Sequence, residues 1–240
     1  MLELKSSDPL FPQVFLELQK PPKIIYYCGR KDLLKAQYIS VVGAREPHPW
    51  ILEWMEHEIA PILKKYQIGI VSGGARGVDQ LAHRIAIRCG QPTLIVVPSG
   101  LNRKYPTNLG AFQNQPNVGF LSEYSSDQQM RKHHFYRRNH LIAALTPVTL
   151  VVQASEKSGT IITAKYALDL GRQVGALPGT PVDSFMTGNN QLLFDGAQMV
   201  RHKSDLDGLL SSIFVNSNFS LENKMRSEQE QEMEAKLPAI

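Results

Sequence analysis

From residue 38 to about residue 210, short apolar runs alternate with segments of helical period, and this alternation constrains the fold more than any other feature. The apolar runs are 38–43, 68–72, 93–97, 118–122, 148–154, 173–177 and 197–200. Several are apolar along most of their length, as a strand must be when helices cover both faces of a parallel sheet. Between them, 50–66 carries an apolar stripe of Ile51, Trp54, Met55, Ile59, Ile62 and Leu63, with a bend expected at Pro61. Further helices are expected near 77–88, 135–145, 160–170 and 203–213. Strand and helix taking turns predicts a doubly wound α/β domain with a mostly parallel sheet and helices on both faces.

The pattern sets provisional boundaries. Residues 38–214 form the domain, and residues 1–37, with one helix- or strand-like patch at PKIIYYCG, read as an extension packed on it. Residues 215–240, rich in Glu, Gln, Asn, Ser and Lys, read as a flexible polar tail. An apolar content of 42% is ample for a core without staples. Cys28 and Cys89 are too few for a disulfide framework and have no zinc-ligand company, so a reducing compartment is expected. The opening MLELKSSDPLF lacks a secretory pattern, and no apolar run approaches the roughly 18 residues of a membrane helix. A cytoplasmic protein with no membrane partner is the expectation.

The formal charge of +4 is unevenly spread: residues 1–215 hold 23 basic and 17 acidic side chains. That excess permits a polyanionic partner without requiring one.

In open α/β sheets, ligands bind beyond the carboxyl ends of the strands. The loops there are Gly43-Ala44-Arg45, Ser72-Gly73-Gly74 through Asp79, Pro98 through Leu101, and Ser155 through Thr163 with its Ser158-Gly159-Thr160 turn. Glycines let backbone amides approach a phosphate, helix N-termini favour its charge, and arginine offers a matching fork of donors. One such loop has a plain steric explanation; four at one rim favour an anion site. The segment RKHHFYRRNH, residues 131–140, interleaves Lys132, Arg137 and Arg138 with Phe135 and Tyr136 and contains no acid. That mixture suits single-stranded nucleic acid, with charge along the backbone and rings against unpaired bases. The plainer reading is a solvated helix start with Phe135 entering the core.

Several chemistries lack support. P-loop, G-x-G-x-x-G, H-E-x-x-H and G-x-S-x-G patterns are absent. The seven histidines show no metal spacing, and adjacent His133 and His134 are expected to point apart on a helix. No metal, cofactor or catalytic residue is therefore assigned. Asp79 and Glu123 could serve as acid or base, yet each has a structural alternative: a helix N-terminus for Asp79, an arginine partner for Glu123.

Taken in order, VVGAR (41–45), VSGGARGVDQLAH (71–83), PSGLNRKYPTN (98–108), LSE (121–123), FYRRNHLIAAL (135–145), VVQASEKSGTIITAKYAL (151–168), GRQVGALPG (171–179) and GNNQLLFDGA (188–197) resemble the DprA/Smf family of DNA-processing proteins. The resemblance spans about 38–200 and implies a Rossmann-like form of the α/β fold. It also implies sequence-independent binding of single-stranded DNA, a homodimer, and loading of a RecA-type recombinase during natural transformation. The matching DNA-pocket positions are Arg45 beside Gly43, the Ser72–Gly74 turn, Arg137, Arg138 and Asn139 after Phe135, and Ser158-Gly159-Thr160; Lys132 aligns less well. His140 stands where the family usually has arginine. The family's helical and winged-helix-like accessory domains are not expected here.

Two other readings stay open. One is a nucleotide-handling enzyme resembling nucleoside-monophosphate phosphohydrolases of the lysine-decarboxylase-like family, with Arg45 or Arg138 and Glu123 in its site; that family's Pro-Gly-Gly-x-Gly-Thr signature is absent. The other is an interaction subunit whose basic segment faces an acidic protein.

Overall fold

The computed structural model describes residues 1–214. Nine strands form one sheet among them: β1 (Leu2–Lys5), β2 (Ile24–Cys28), β3 (Tyr38–Val42), β4 (Gly69–Ser72), β5 (Thr93–Val96), β6 (Val118–Ser122), β7 (Val148–Val151), β8 (Gln173–Ala176) and β9 (Gln198–Met199). Their spatial order is β1-β2-β6-β5-β4-β3-β7-β8-β9. From β6 to β9 every pairing is parallel, while β1–β2 and β2–β6 are antiparallel. The Rossmann-like α/β architecture is thus present, with its strand order reversing between β3 and β7.

Burial explains the unbroken apolar strands. β3, β4, β5, β6 and β7 are buried at every position. Alternate side chains serve opposite faces: Ile39 and Val41 pack with α1 (Pro49–Tyr66), α2 (Val78–Arg88) and the helical turns at 203–214, whereas Val42 packs with α3 (His134–Ala144) and α4 (Gly159–Asp169). α1 runs through Pro61 as one helix. A fifth helix, α5 (Thr187–Phe194), has no counterpart among the expected segments. Its eight residues show too little apolar contrast to register as a periodic pattern.

Residues 1–37 do more than pack on the core. β2 extends the sheet beyond β6, with Tyr26 opposite Ser122 and Tyr27 opposite Leu121, and β1 closes that edge. The segment between them buries Phe11 and Phe15, edge to face at 5.9 Å, in the cluster shared with α3 and α4. Burying each ring contributes about 1.5–3 kcal/mol, which holds a segment so short in regular structure. The polar tail expected over 215–240 lies outside the described residues.

Candidate functional site

The reversal of strand order opens a gap beyond the carboxyl ends of β3 and β7, and a cleft of about 370 Å³ occupies it. One wall is the loop after β3, with Gly43, Ala44 and Arg45, together with Ala75 and Asp79 at the start of α2. Facing it are Gln153, Ala154, Ser155 and Ser158 after β7, then Gly159, Thr160 and Thr163 in the first turns of α4. Phe135, Arg138 and Asn139 enter from α3, and Phe185 from the loop before α5. The volume falls within the roughly 300–1,000 Å³ of small-ligand sites.

Hydrogen bonds fix the walls to each other. The Thr160 hydroxyl donates to the Gly43 carbonyl at 3.2 Å, and the Asn139 amide donates to the Gly159 carbonyl at 3.1 Å. Across the first wall, the Val78 N–H reaches the Ala44 carbonyl at 3.1 Å. Gly77 allows this approach: its φ is +76°, and a β-carbon there would stand 2.5 Å from that same carbonyl oxygen. The opening turn of α4 leaves N–H groups without intrahelical partners facing the cleft and carries no acidic residue.

Arg138 is the electrostatic centre. Its side chain is 9% exposed, and its nearest counter-charge, Asp79 Oδ2, lies 3.9 Å from Nη1, beyond hydrogen-bond reach. The guanidinium carbon is 5.8 Å from the centre of the Phe135 ring. Burial pulls the guanidinium below its usual pKa, an effect opposed by Asp79 and reinforced by Arg45. Burial likewise pushes the Asp79 carboxyl upward, with Arg138 and the Ala75 N–H acting against it. Arg45 is exposed and makes no ion pair among the described residues.

Six buried side-chain polar atoms among the described residues lack a hydrogen-bond partner, and three of them belong to this cleft: Arg138 Nε, Gln153 Nε2 and Ser158 Oγ. Gln153 is oriented by the His48 N–H, which donates to Oε1 at 2.9 Å and leaves the amide nitrogen without a partner. Buried donors left unpaired are costly, so their concentration in one cavity marks a place shaped for an acceptor.

The structure sorts the residues singled out from sequence. Gly43, Arg45, Phe135, Arg138, Asn139, Ser158, Gly159 and Thr160 share the cleft. Ser72, Gly73 and Gly74 support it from behind: the Ser72 hydroxyl is committed to the Val41 carbonyl at 2.6 Å, and Gly73 underlies the Arg138 guanidinium. Lys132 is exposed and outside the cleft.

Arg137 also lies elsewhere. It forms a two-pronged pair with Glu123, Nε to Oε1 at 3.0 Å and Nη2 to Oε2 at 2.8 Å, and both Nη atoms donate to the Lys20 carbonyl at 3.1 Å. Consecutive residues on a helix point about 100° apart, and here Arg138 lines the cleft while Arg137 does not. Glu123, held by that pairing with Arg137, likewise lies outside the cleft lining. His133 and His134 do not point apart; their rings meet at 4.5 Å, and His134 stacks on Tyr124 at 3.8 Å. Among the described residues no cluster of three His, Cys, Asp or Glu could hold a metal, and no helix is long and apolar enough to cross a membrane.

Sequence reading missed Gln153 and Phe185. Gln153 carried a signal, a polar side chain closing the apolar run VTLVV; Phe185, in a polar loop, carried none.

A sequence profile for DNA recombination-mediator protein A matches residues 4–210. The chain belongs to the DNA recombination-mediator protein A family. Among curated relatives, Protein Smf of Synechocystis is 34% identical over 216 residues, covering 88% of this chain and 54% of its own. The chain therefore spans about half the length of that relative. The solved structure of DNA processing protein A from Streptococcus pneumoniae superposes with a TM-score of 0.80 at 32% identity, covering 89% of this chain and 74% of the other. That of the Helicobacter pylori protein, which concerns its single-stranded DNA binding mode, gives 0.77 at 33%, covering 85% and 94%. Both superpositions agree with the Rossmann-like fold described above.

Proposed function

We propose that the cleft binds the sugar-phosphate backbone of single-stranded DNA without sequence preference, and that no bond is made or broken there. The observation that carries the reading is the convergence of three unpartnered buried polar atoms, on Arg138, Gln153 and Ser158, with unpaired Arg45 and the start of α4. Each donor suits a phosphate oxygen, and the fork of Arg138 suits two. The relation to the H. pylori protein, with its single-stranded DNA binding mode, supports the same ligand.

The reading extends to protection of the bound strand and delivery to a RecA-type recombinase during DNA uptake, in the cytoplasm. A homodimer is part of it. Exposed Phe194 at the end of α5 and Met199 in edge strand β9 offer an apolar surface for self-association.

The test is a salt titration of oligo-dT binding by fluorescence anisotropy. Arg45→Ala should weaken binding to all sequences alike and flatten the salt dependence by about 0.7 for each phosphate no longer neutralised. Unchanged affinity and slope would remove the cleft from consideration.

A further inference from the structure

Beside the cleft stands a group of aromatic side chains that an anion site does not need. Phe185 lines the cavity and is 57% exposed. His48 meets it edge to face at 5.4 Å, and the ring of Trp50 lies nearly parallel to His48, 16° off, at 6.4 Å. Trp50 is itself 45% exposed. Of the three, Phe185 belongs to the cavity lining, His48 contacts Phe185, and Trp50 contacts His48.

Exposed aromatic rings are normally mobile, but these are mounted. The Asp183 carboxylate accepts from the Phe185 N–H at 2.9 Å through one oxygen and from His48 Nε2 at 3.1 Å through the other. Met186, the next residue, is fully buried, and its side chain fills the space a β-carbon on Gly179 would need. His48 is tied to Gln153 by its backbone, and Pro49 in the first turn of α1 fixes the approach to Trp50. Two large apolar rings are thereby held against water, in a fixed relation to a cationic cavity.

We infer that Phe185, His48 and Trp50 form a shelf on which unpaired bases stack while the adjoining cleft holds their backbone. The inference rests on the reading of the cleft as a phosphate site and adds exposed rings beyond Phe135 of the cleft lining, since charge alone does not favour single strands over duplex. Bases in a duplex have both faces covered by neighbours; only an unpaired strand can lay a free face on these rings. The shelf accepts any base, because every base has a flat face, and it therefore confers strand preference without sequence preference.

The experiment compares a 20-nucleotide oligo-dT with an abasic strand of equal length and charge, using the whole chain. Phe185→Ala and Trp50→Ala should each lower affinity for oligo-dT by roughly 5- to 150-fold, as removal of one stacked base does, and leave the abasic strand unaffected. Phe185→Leu, apolar but without a flat ring, should behave like Phe185→Ala, and Phe185→Trp should retain binding. In a Trp54→Phe background, where Trp50 is the remaining tryptophan, oligo-dT should quench fluorescence and the abasic strand should not. Equal losses on both strands, no loss on either, or full activity of Phe185→Leu would overturn the shelf while Arg45→Ala still reports on the cleft. A wild-type chain that binds neither strand would overturn the cleft reading and the shelf with it.

Discussion

The guanidinium of Arg138 lies directly over the α-carbon of Gly73, so close that a β-carbon there would stand 1.2 Å from Nη1. A residue at the end of one strand thereby sets the position of a cation on a helix 65 positions further along the chain.

Gly73→Ala should therefore act on the cleft without touching a ligand. Gly73 is not among the glycines with positive φ, so alanine fits the backbone and only the guanidinium must move. Displacing the buried cation should cost oligo-dT affinity by about tenfold or more, in line with the ~1.5–3 kcal/mol of a hydrogen bond to a charged group. Anisotropy measures the loss, and a circular dichroism melt checks that the fold survives.

Arg137→Ala should do the reverse. Its partners are Glu123 and the Lys20 carbonyl, so it joins α3 to the N-terminal segment rather than to the cleft. Removing it leaves the Glu123 side chain, 8% exposed, without its counter-charge. We expect a stability loss of about 2–4 kcal/mol in urea denaturation, with oligo-dT affinity unchanged within about twofold. A large affinity loss in a stably folded variant would return Arg137 to the site.

These two variants show where the sequence was informative. The alternation of apolar runs and helical periods made the parallel sheet legible, because strands buried on both faces must be apolar throughout. The rim rule then made Gly43, Arg45 and the 158–160 turn legible as one edge. What escaped was side-chain direction. Both arginines of the RRN segment read alike as letters, yet a single step along α3 sends one to the cleft and the other to Glu123. The strand character of β2 stood open between helix and strand in PKIIYYCG, and that of β1 was hidden, since Leu2–Lys5 has four residues and owes its form to pairing with β2 rather than to its own pattern.

Stability should carry a histidine-dependent acid limb. His83 is fully buried in α2, and because the Thr93 hydroxyl donates to the Ile70 carbonyl at 2.8 Å, it accepts from His83 Nδ1 at 2.6 Å. Nε2 has no partner, and burial, aided by Arg84 and Arg138, depresses the ring to about 3. The unfolded ring takes its proton near pH 6.5 and the folded one does not. Stability from this group is thus complete above about pH 6.5 and is lost as pH falls toward 3, at up to about 1.4 kcal/mol per pH unit. Urea midpoints from pH 7 to 4 should fall more steeply in the wild type than in His83→Leu; parallel curves would refute the assignment.

Asn189 is the second buried polar anchor. Its side-chain oxygen accepts from the Ala154 N–H at 2.7 Å, and its amide group donates to the carbonyls of Val151 at 3.1 Å, Val152 at 3.2 Å and Leu177 at 2.9 Å. It so joins the carboxyl ends of β7 and β8 and carries the 153–158 loop. Asn189→Ala should cost about 2–4 kcal/mol, and Asn189→Asp more, because a carboxylate would face three carbonyl oxygens. Both should also weaken oligo-dT binding, measurable below the unfolding transition.

The reversal of strand order between β3 and β7 gives the molecule a seam. Thr160 and Gly43, which touch across it, are 117 residues apart along the chain, so the cavity exists only when the early and late halves have both folded and met. On the proposed reading, a strand lying there would grip both halves at once and work as a rivet. Nucleic acid should protect the seam first against proteases and heat, by an amount that grows with the logarithm of its concentration above the dissociation constant.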